Sequence, residues 1–476
     1  MKQRMLSEPK KLGALLTALL VVVALLLNIL IYALATRFSW YFYATTQYTH
    51  EIGDVMAEKI NAAEHKVNIR FCMAEEDMLS DSVYSLAYKT AEQYAARYPD
   101  KIALLPSFNV YTDHKAIAAY VEKTGVSGIS ERSVILESAV DCRILDLSDF
   151  FLLDAETRYI NAYNGEEMLA AAFFWVQEKA EEHPVAYFTV DHGENFTTSG
   201  LVMLLTMAGY ACDTIALSST AIPEDCALLV TVNPIYDFEK AKEGANVSAE
   251  YDRLTRYLDN GGCFYLSVDP SNEAFSSLDN LRALCASYGI TVEDTQIYDF
   301  TNSLTRNGKT FVTSLAGDEA PDFTARVGGY TDARILVRDV SPLTLTATDK
   351  TEAVMPLLYT AETAEDEMGN VGVYTVAALS RLKNGGRLFF GASAYMAAGD
   401  VIDTPYYGNE AFLYAALEEM GCKTAPAGTV ILEVENEALR DLTNGEADRI
   451  FILQVAVLPT LLAAVAVAVV IRRKRR

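Results

Sequence analysis

The residues best suited to chemistry lie where short apolar segments end. Asp191, His192, Gly193 and Glu194 follow the apolar run 186–190, and Asn233 follows 227–232. Asp269 follows 264–268, and Ser393 follows 387–391. Each run is short, apolar on both faces and bounded by turn residues, as expected of strands in a doubly covered parallel sheet. In an open α/β sheet, ligands bind at the carboxyl ends of such strands. Asp191, His192, Glu194 and Asp269 could ligate a divalent cation or form an acid–base pair. The same residue types also fill ordinary strand-to-helix turns, where they cap helices and satisfy loop backbone groups. A single histidine without recognisable ligand spacing favours the turn reading. The expectation is therefore a crevice of Asp191, His192, Gly193, Glu194, Asn233, Asp269 and Ser393, with no catalytic residue, no metal and no cofactor.

Other motifs add little chemistry. Gly308-Lys309-Thr310 looks like the tail of a phosphate-binding loop, but Ser303 stands where the loop needs its first glycine. ATP hydrolysis is not expected. No G-x-S-x-G occurs, and Cys263 lies inside an apolar run instead of on a strand-to-helix elbow. Cys72 follows a strand, but Met73, Ala74 and Glu75 supply no redox partner. Seven cysteines, odd in number and without a C-x-x-C pair, read as buried thiols.

The elements that must position the crevice alternate between helices and strands. A first α/β unit is expected over 40–150. It has a helix near 49–66, strand 67–71, a helix from about 83, strand 102–105, helix 114–123 and strand 133–136. The second unit, 160–425, opens with helix 166–181. It continues with helices near 198–208, 249–259, 276–288 and 409–420 between the four strands named above. This alternation predicts an α/β class. Asn260-Gly261-Gly262 and Asn384-Gly385-Gly386 each predict a helix ending in a left-handed cap with a strand beginning at once. Residues 291–380 read as an irregular insertion and 426–449 as a stalk.

Charge is distributed unevenly over the 476 residues. Net charge is −25, which excludes sequence-independent binding to nucleic acid. Nine basic residues sit in the tails 1–11 and 472–476, leaving 30 basic against 63 acidic residues between them. Next to these tails lie two uncharged apolar runs, 12–35 and 450–471, of 24 and 22 residues. A hydrocarbon core about 30 Å thick needs about 20 helical residues, so both runs predict transmembrane helices. Their basic flanks predict cytoplasmic termini and a large extracytoplasmic region in a two-pass plasma-membrane protein contacting lipid.

Several stretches resemble the GldG-type auxiliary components of ABC transport systems. They are Gly165-Glu166-Glu167, the segment Tyr187 to Glu194 ending in Asp191-His192-Gly193-Glu194, and Ile222-Pro223-Glu224-Asp225 leading to Leu229-Val230. Asn233-Pro234, Tyr257-Leu258 with Gly261-Gly262, and Asp269-Pro270 follow in order, and Tyr94 to Ile102 fits the amino-terminal unit. Asp191 replaces a family glycine. The resemblance covers about 40–290. It implies a thioredoxin-like first unit and a flavodoxin-like, glutamine-amidotransferase-like second unit lacking the amidotransferase nucleophile. It also implies a non-catalytic membrane subunit of an ABC-2 type export complex, partnered by a permease and a separate ABC ATPase. The ectodomain would scaffold, sense or handle cargo. The alternative is an envelope hydrolase or a solute-binding receptor using the strand-end crevice.

Overall fold

The computed structural model describes residues 51–433, apart from residue 82, the stretches 154–159, 195–196, 241–248, 270–274 and 328–333, and a few positions between 403 and 430. It also describes 443–445, 449 and 472. The first sheet holds β1 (Val67–Phe71), β2 (Ile102–Leu105), β3 (Ser133–Glu137) and β4 (Cys142–Asp146), in the order β2-β1-β3-β4. The alternation of Val67, Ile69 and Phe71 with polar neighbours sends three side chains into the core. The helix Tyr84–Arg97 buries Ala87, Ala91 and Tyr94 and stops before Pro99. It carries the crossover that makes β1 and β2 parallel, while β3 and β4 pair antiparallel.

β5 (Phe151–Leu153) and β6 (Ile160–Tyr163) pair antiparallel, and Leu432–Glu433 adds a third strand. The helix Gly165–Trp175 follows, shorter than the 166–181 expected. Beyond it, Gln177 bonds His65, accepting its N–H at 2.8 Å and donating to its carbonyl at 3.1 Å. The large sheet begins with β7 (Val185–Thr189), β8 (Ala211–Ile215), β9 (Cys226–Val232) and β10 (Cys263–Ser267), all parallel.

The stretch expected to be irregular holds eight strands among its described residues. It contains β11 (Ile290–Val292), β12 (Ile297–Tyr298), β13 (Thr310–Leu315), β14 (Ile335–Arg338), β15 (Leu343–Leu345), β16 (Thr351–Tyr359), β17 (Glu365–Asp366) and β18 (Thr375–Leu382). β19 (Arg387–Gly391) pairs parallel to β10 and antiparallel to β18. The full nine-stranded order is β14-β13-β16-β18-β19-β10-β9-β7-β8. The sheet is thus mixed, with an antiparallel half built from 310–382. Gly385 does have left-handed φ, at 95°, but it closes the β18–β19 hairpin and no helix ends there. Gly261, at φ 93°, does follow a helix, Glu250–Asp259. The two sheets share one continuous apolar core, and the Glu166 side chain accepts the Gly53 N–H across it at 2.9 Å. All seven cysteines are free thiols.

The expectation of two membrane-spanning helices is corrected. No helix among the described residues is long and apolar enough to cross a membrane. The longest described, Tyr84–Arg97, has 14 residues, against the roughly 20 a span requires. The segments 12–35 and 450–471 lie outside the described residues, so the described architecture is mixed α/β without spans. The two-pass plasma-membrane localisation built on those spans is corrected with it.

Candidate functional site

The loop after β7 is fixed by its backbone before any side chain acts. The His192 carbonyl accepts the N–H groups of both Ile235 and Tyr236, each at 2.9 Å, tying this loop to the one after β9. Gly193 then turns with φ 66°. A Cβ there would lie 2.8 Å from both Ile235 Cγ1 and Tyr236 Cε2, so glycine is required by conformation and by space.

Around this turn, three carboxylates surround one imidazole. His192 is 1% exposed and its ring lies against Phe238. Its Nδ1 is 3.1 Å from Asp191 Oδ1 and 3.6 Å from Glu194 Oε1, and its Nε2 is 3.3 Å from Glu250 Oε2. Each carboxylate is anchored by backbone. Asp191 accepts Leu217 N–H at 3.2 Å and Ser218 N–H at 2.6 Å. Glu194 Oε2 accepts His192 N–H at 3.0 Å, and Glu250 Oε2 accepts Glu239 N–H at 2.8 Å. Burial pulls the His192 pKa down, but Glu194, Asp191 and Glu250 outweigh it and raise it above the ordinary imidazole value. Burial pushes Asp191 up, yet its bonds to Ser218, the charge of His192 and the Leu217 N–H bring it below the usual carboxylate value. Glu194 is likewise lowered on balance, burial being outweighed by His192 and Thr189. The ligating atoms of Asp191, His192 and Glu194 all lie within 4.8 Å of one another. A cleft of about 510 Å³ borders the cluster, lined in part by Phe188, Gly193, Glu194, Thr198 and Cys212.

Asn233, Asp269 and Ser393 bond other groups. Asn233 adopts φ 50°, its N–H bonds the Ser267 carbonyl at 2.8 Å, and its Oδ1 accepts the Asp269 N–H at 3.1 Å. This pair joins the loops after β9 and β10. Ser393 is fully buried, and its hydroxyl donates to the Arg338 carbonyl at 2.8 Å and accepts the Arg338 N–H at 3.0 Å. It fastens β19 to β14. Sequence reasoning missed Glu250 and Phe238. Glu250 had a signal: it falls at four-residue spacing with Leu254 and Leu258 on the buried face of its helix. A carboxylate on an apolar face needs a partner.

Fold and site together define a mixed α/β protein with a carboxylate-ringed histidine at its parallel strand ends. No family model matches the chain, and no curated protein matches it. Among solved structures it is similar to one described as mmIFT52 N-terminal domain, at 15% identity and TM-score 0.39, covering 50% of this chain and 96% of that one. A cytoplasmic protein from Salmonella typhimurium shows 11% identity and TM-score 0.32, covering 50% of this chain and 98% of that one. A cold-adapted β-galactosidase from Rahnella sp. R3 shows 14% identity and TM-score 0.28, and the shared region covers 54% of this chain and 34% of the enzyme. Likenesses this distant carry no argument about activity. The expected label of transmembrane helix is accordingly corrected, since no described helix is long and apolar enough to span, and no family match supports the GldG and ABC transporter labels.

Proposed function

We propose that this chain is a non-catalytic accessory protein that works by binding partner proteins. The observation supporting this reading is the burial of His192, which is 1% exposed and covered on one face by Phe238. A general acid or base must come within hydrogen-bond reach of the group it serves. Here the imidazole is surrounded by the chain's own carboxylates, and the hydroxyl of Ser393 is used up by Arg338. The ordered motifs between 165 and 270 make an ABC-2 type permease and a separate ABC ATPase the first partners to test. Purification of the tagged full chain from its native host in mild detergent, followed by identification of co-purifying proteins, tests the proposal. Recovery of both partners is expected. Recovery of neither removes these partners. A hydrolytic activity in the purified chain that a folded His192→Ala variant lacks removes the non-catalytic reading.

A further inference from the structure

We propose that Asp191, His192 and Glu194 form a binding site for one divalent transition-metal cation, with Glu250 orienting the imidazole from its far side. The proposal goes beyond the accessory reading and does not depend on it.

Geometry is the first support. A tetrahedral cation with bonds of about 2.0–2.2 Å spaces its ligand atoms roughly 3.3–3.6 Å apart. Nδ1 of His192 already stands 3.1 Å and 3.6 Å from oxygens of Asp191 and Glu194. The remaining edge lies within 4.8 Å, at most roughly 1.5 Å wider than such a cation sets.

Satisfaction of polar atoms is the second. Despite these close approaches, neither ring nitrogen of His192 has a partner in hydrogen-bond geometry, and Glu194 Oε1 has none either. Buried polar atoms are seldom left so. A cation between Nδ1 and Glu194 Oε1 satisfies two of the three orphans at once. The third, Nε2, faces Glu250, the arrangement in which a second-shell carboxylate fixes the tautomer of a ligating histidine.

Charge is the third. Among the described residues, no lysine or arginine forms an ion pair with Asp191, Glu194 or Glu250. Three carboxylates therefore face a single imidazole in a largely buried setting. A divalent cation offsets more of that charge than one ring proton does, and binding releases the Nδ1 proton to solvent. One imidazole nitrogen with two carboxylate oxygens suits zinc, manganese, iron or cobalt and not calcium, whose sites are built of oxygen alone. Glu194 borders the 510 Å³ cleft, which supplies the entry path.

The test uses the full chain, stripped with chelator and titrated with Co²⁺ while its visible absorption is followed, and with Zn²⁺ while bound metal is counted. About one equivalent per chain is expected, reduced to the level of no specific binding in Glu194→Gln and His192→Gln. Glu250→Gln should weaken binding about 10–100-fold. Glu224→Gln, at an exposed position, serves as control and should bind as the parent does. A parent chain that binds no metal, or a Glu194→Gln chain that binds as well as the parent, overturns the site. Should the variants fail to fold, X-ray absorption on the zinc-loaded parent decides. One imidazole in the first coordination sphere supports the site, and an all-oxygen shell overturns it.

Discussion

The imidazole of His192 lies flat on the phenyl ring of Phe238, with centroids 3.9 Å apart and planes 13° from parallel. Phe238 is 1% exposed, so it is both a core residue and the floor on which the histidine rests. Phe238→Ala is expected to lower stability by about 3–5 kcal/mol, the usual cost of emptying a buried phenylalanine site. Urea denaturation measures it. A loss below about 1 kcal/mol would show that the surroundings collapse to fill the space.

Gly193 allows a second prediction. Gly193→Val forces a β-branched residue into left-handed φ, at roughly 1–2 kcal/mol. It also drives a side chain into Ile235 and Tyr236, at about 1–3 kcal/mol for crowding. Reduced yield and a lowered melting temperature are expected, and an unchanged melting temperature would refute the required turn.

Glu419 is expected to contribute to acid sensitivity. Its carboxylate pairs with both Arg326 and Arg381 and is itself 7% exposed. Burial raises its pKa, but Arg381 and Arg326 outweigh burial and hold it below the ordinary glutamate value. A depressed pKa means stability that is fully present above the unfolded value, about 4.3, and lost as pH falls through the folded one. Glu419→Gln should therefore flatten the stability profile below about pH 4.5. At pH 7 it should cost on the order of 1–2 kcal/mol, since both arginines are about a third exposed and solvent screens the pairs. Chemical denaturation of both chains between pH 3 and 7 compares them, and parallel profiles would dismiss this carboxylate as the acid-sensitive group.

Asn409 holds the antiparallel half of the sheet to the helix Asn409–Glu419. Its side chain accepts Leu336 N–H at 2.8 Å and donates to the carbonyls of Leu336 at 2.9 Å and Met396 at 3.1 Å. Removing it strands buried backbone groups, at roughly 1–3 kcal/mol each. Asn409→Ala should lose on the order of 3 kcal/mol, with amide exchange at Leu336 accelerated. Protection at Leu336 equal to the parent's would contradict that role.

Much of the parallel half was legible because burial on both faces writes continuous apolar runs. β7, β9 and β10 begin one residue before the expected runs, and β19 coincides with its run. The site was legible in part. Asp191, His192 and Glu194 fall within four residues around Gly193, so a local turn brings them together, whereas Glu250 reaches them only through the packing of its helix. Asn384-Gly385-Gly386 misled because a left-handed glycine serves a helix cap and a hairpin equally well. Its φ is encoded locally, but the preceding element is not. β16 was illegible for a related reason. Its burial pattern shifts along the strand where bulges interrupt its pairing with β18, so no single period runs through it. Asn233 and Asp269 bond each other and so join the ends of β9 and β10, a pairing that separation in sequence does not reveal.

The position of β19 sets an order of events. Cys263 on β10 pairs with Arg387 on β19, and every residue of the antiparallel half lies between them in the chain. A chain synthesised only as far as residue 386 therefore holds two incomplete sheets, each with an open edge where β19 belongs. Such edges recruit other strands, and long-range pairings form slowly. The five residues 387–391 are the keystone whose arrival turns two sticky fragments into one continuous sheet.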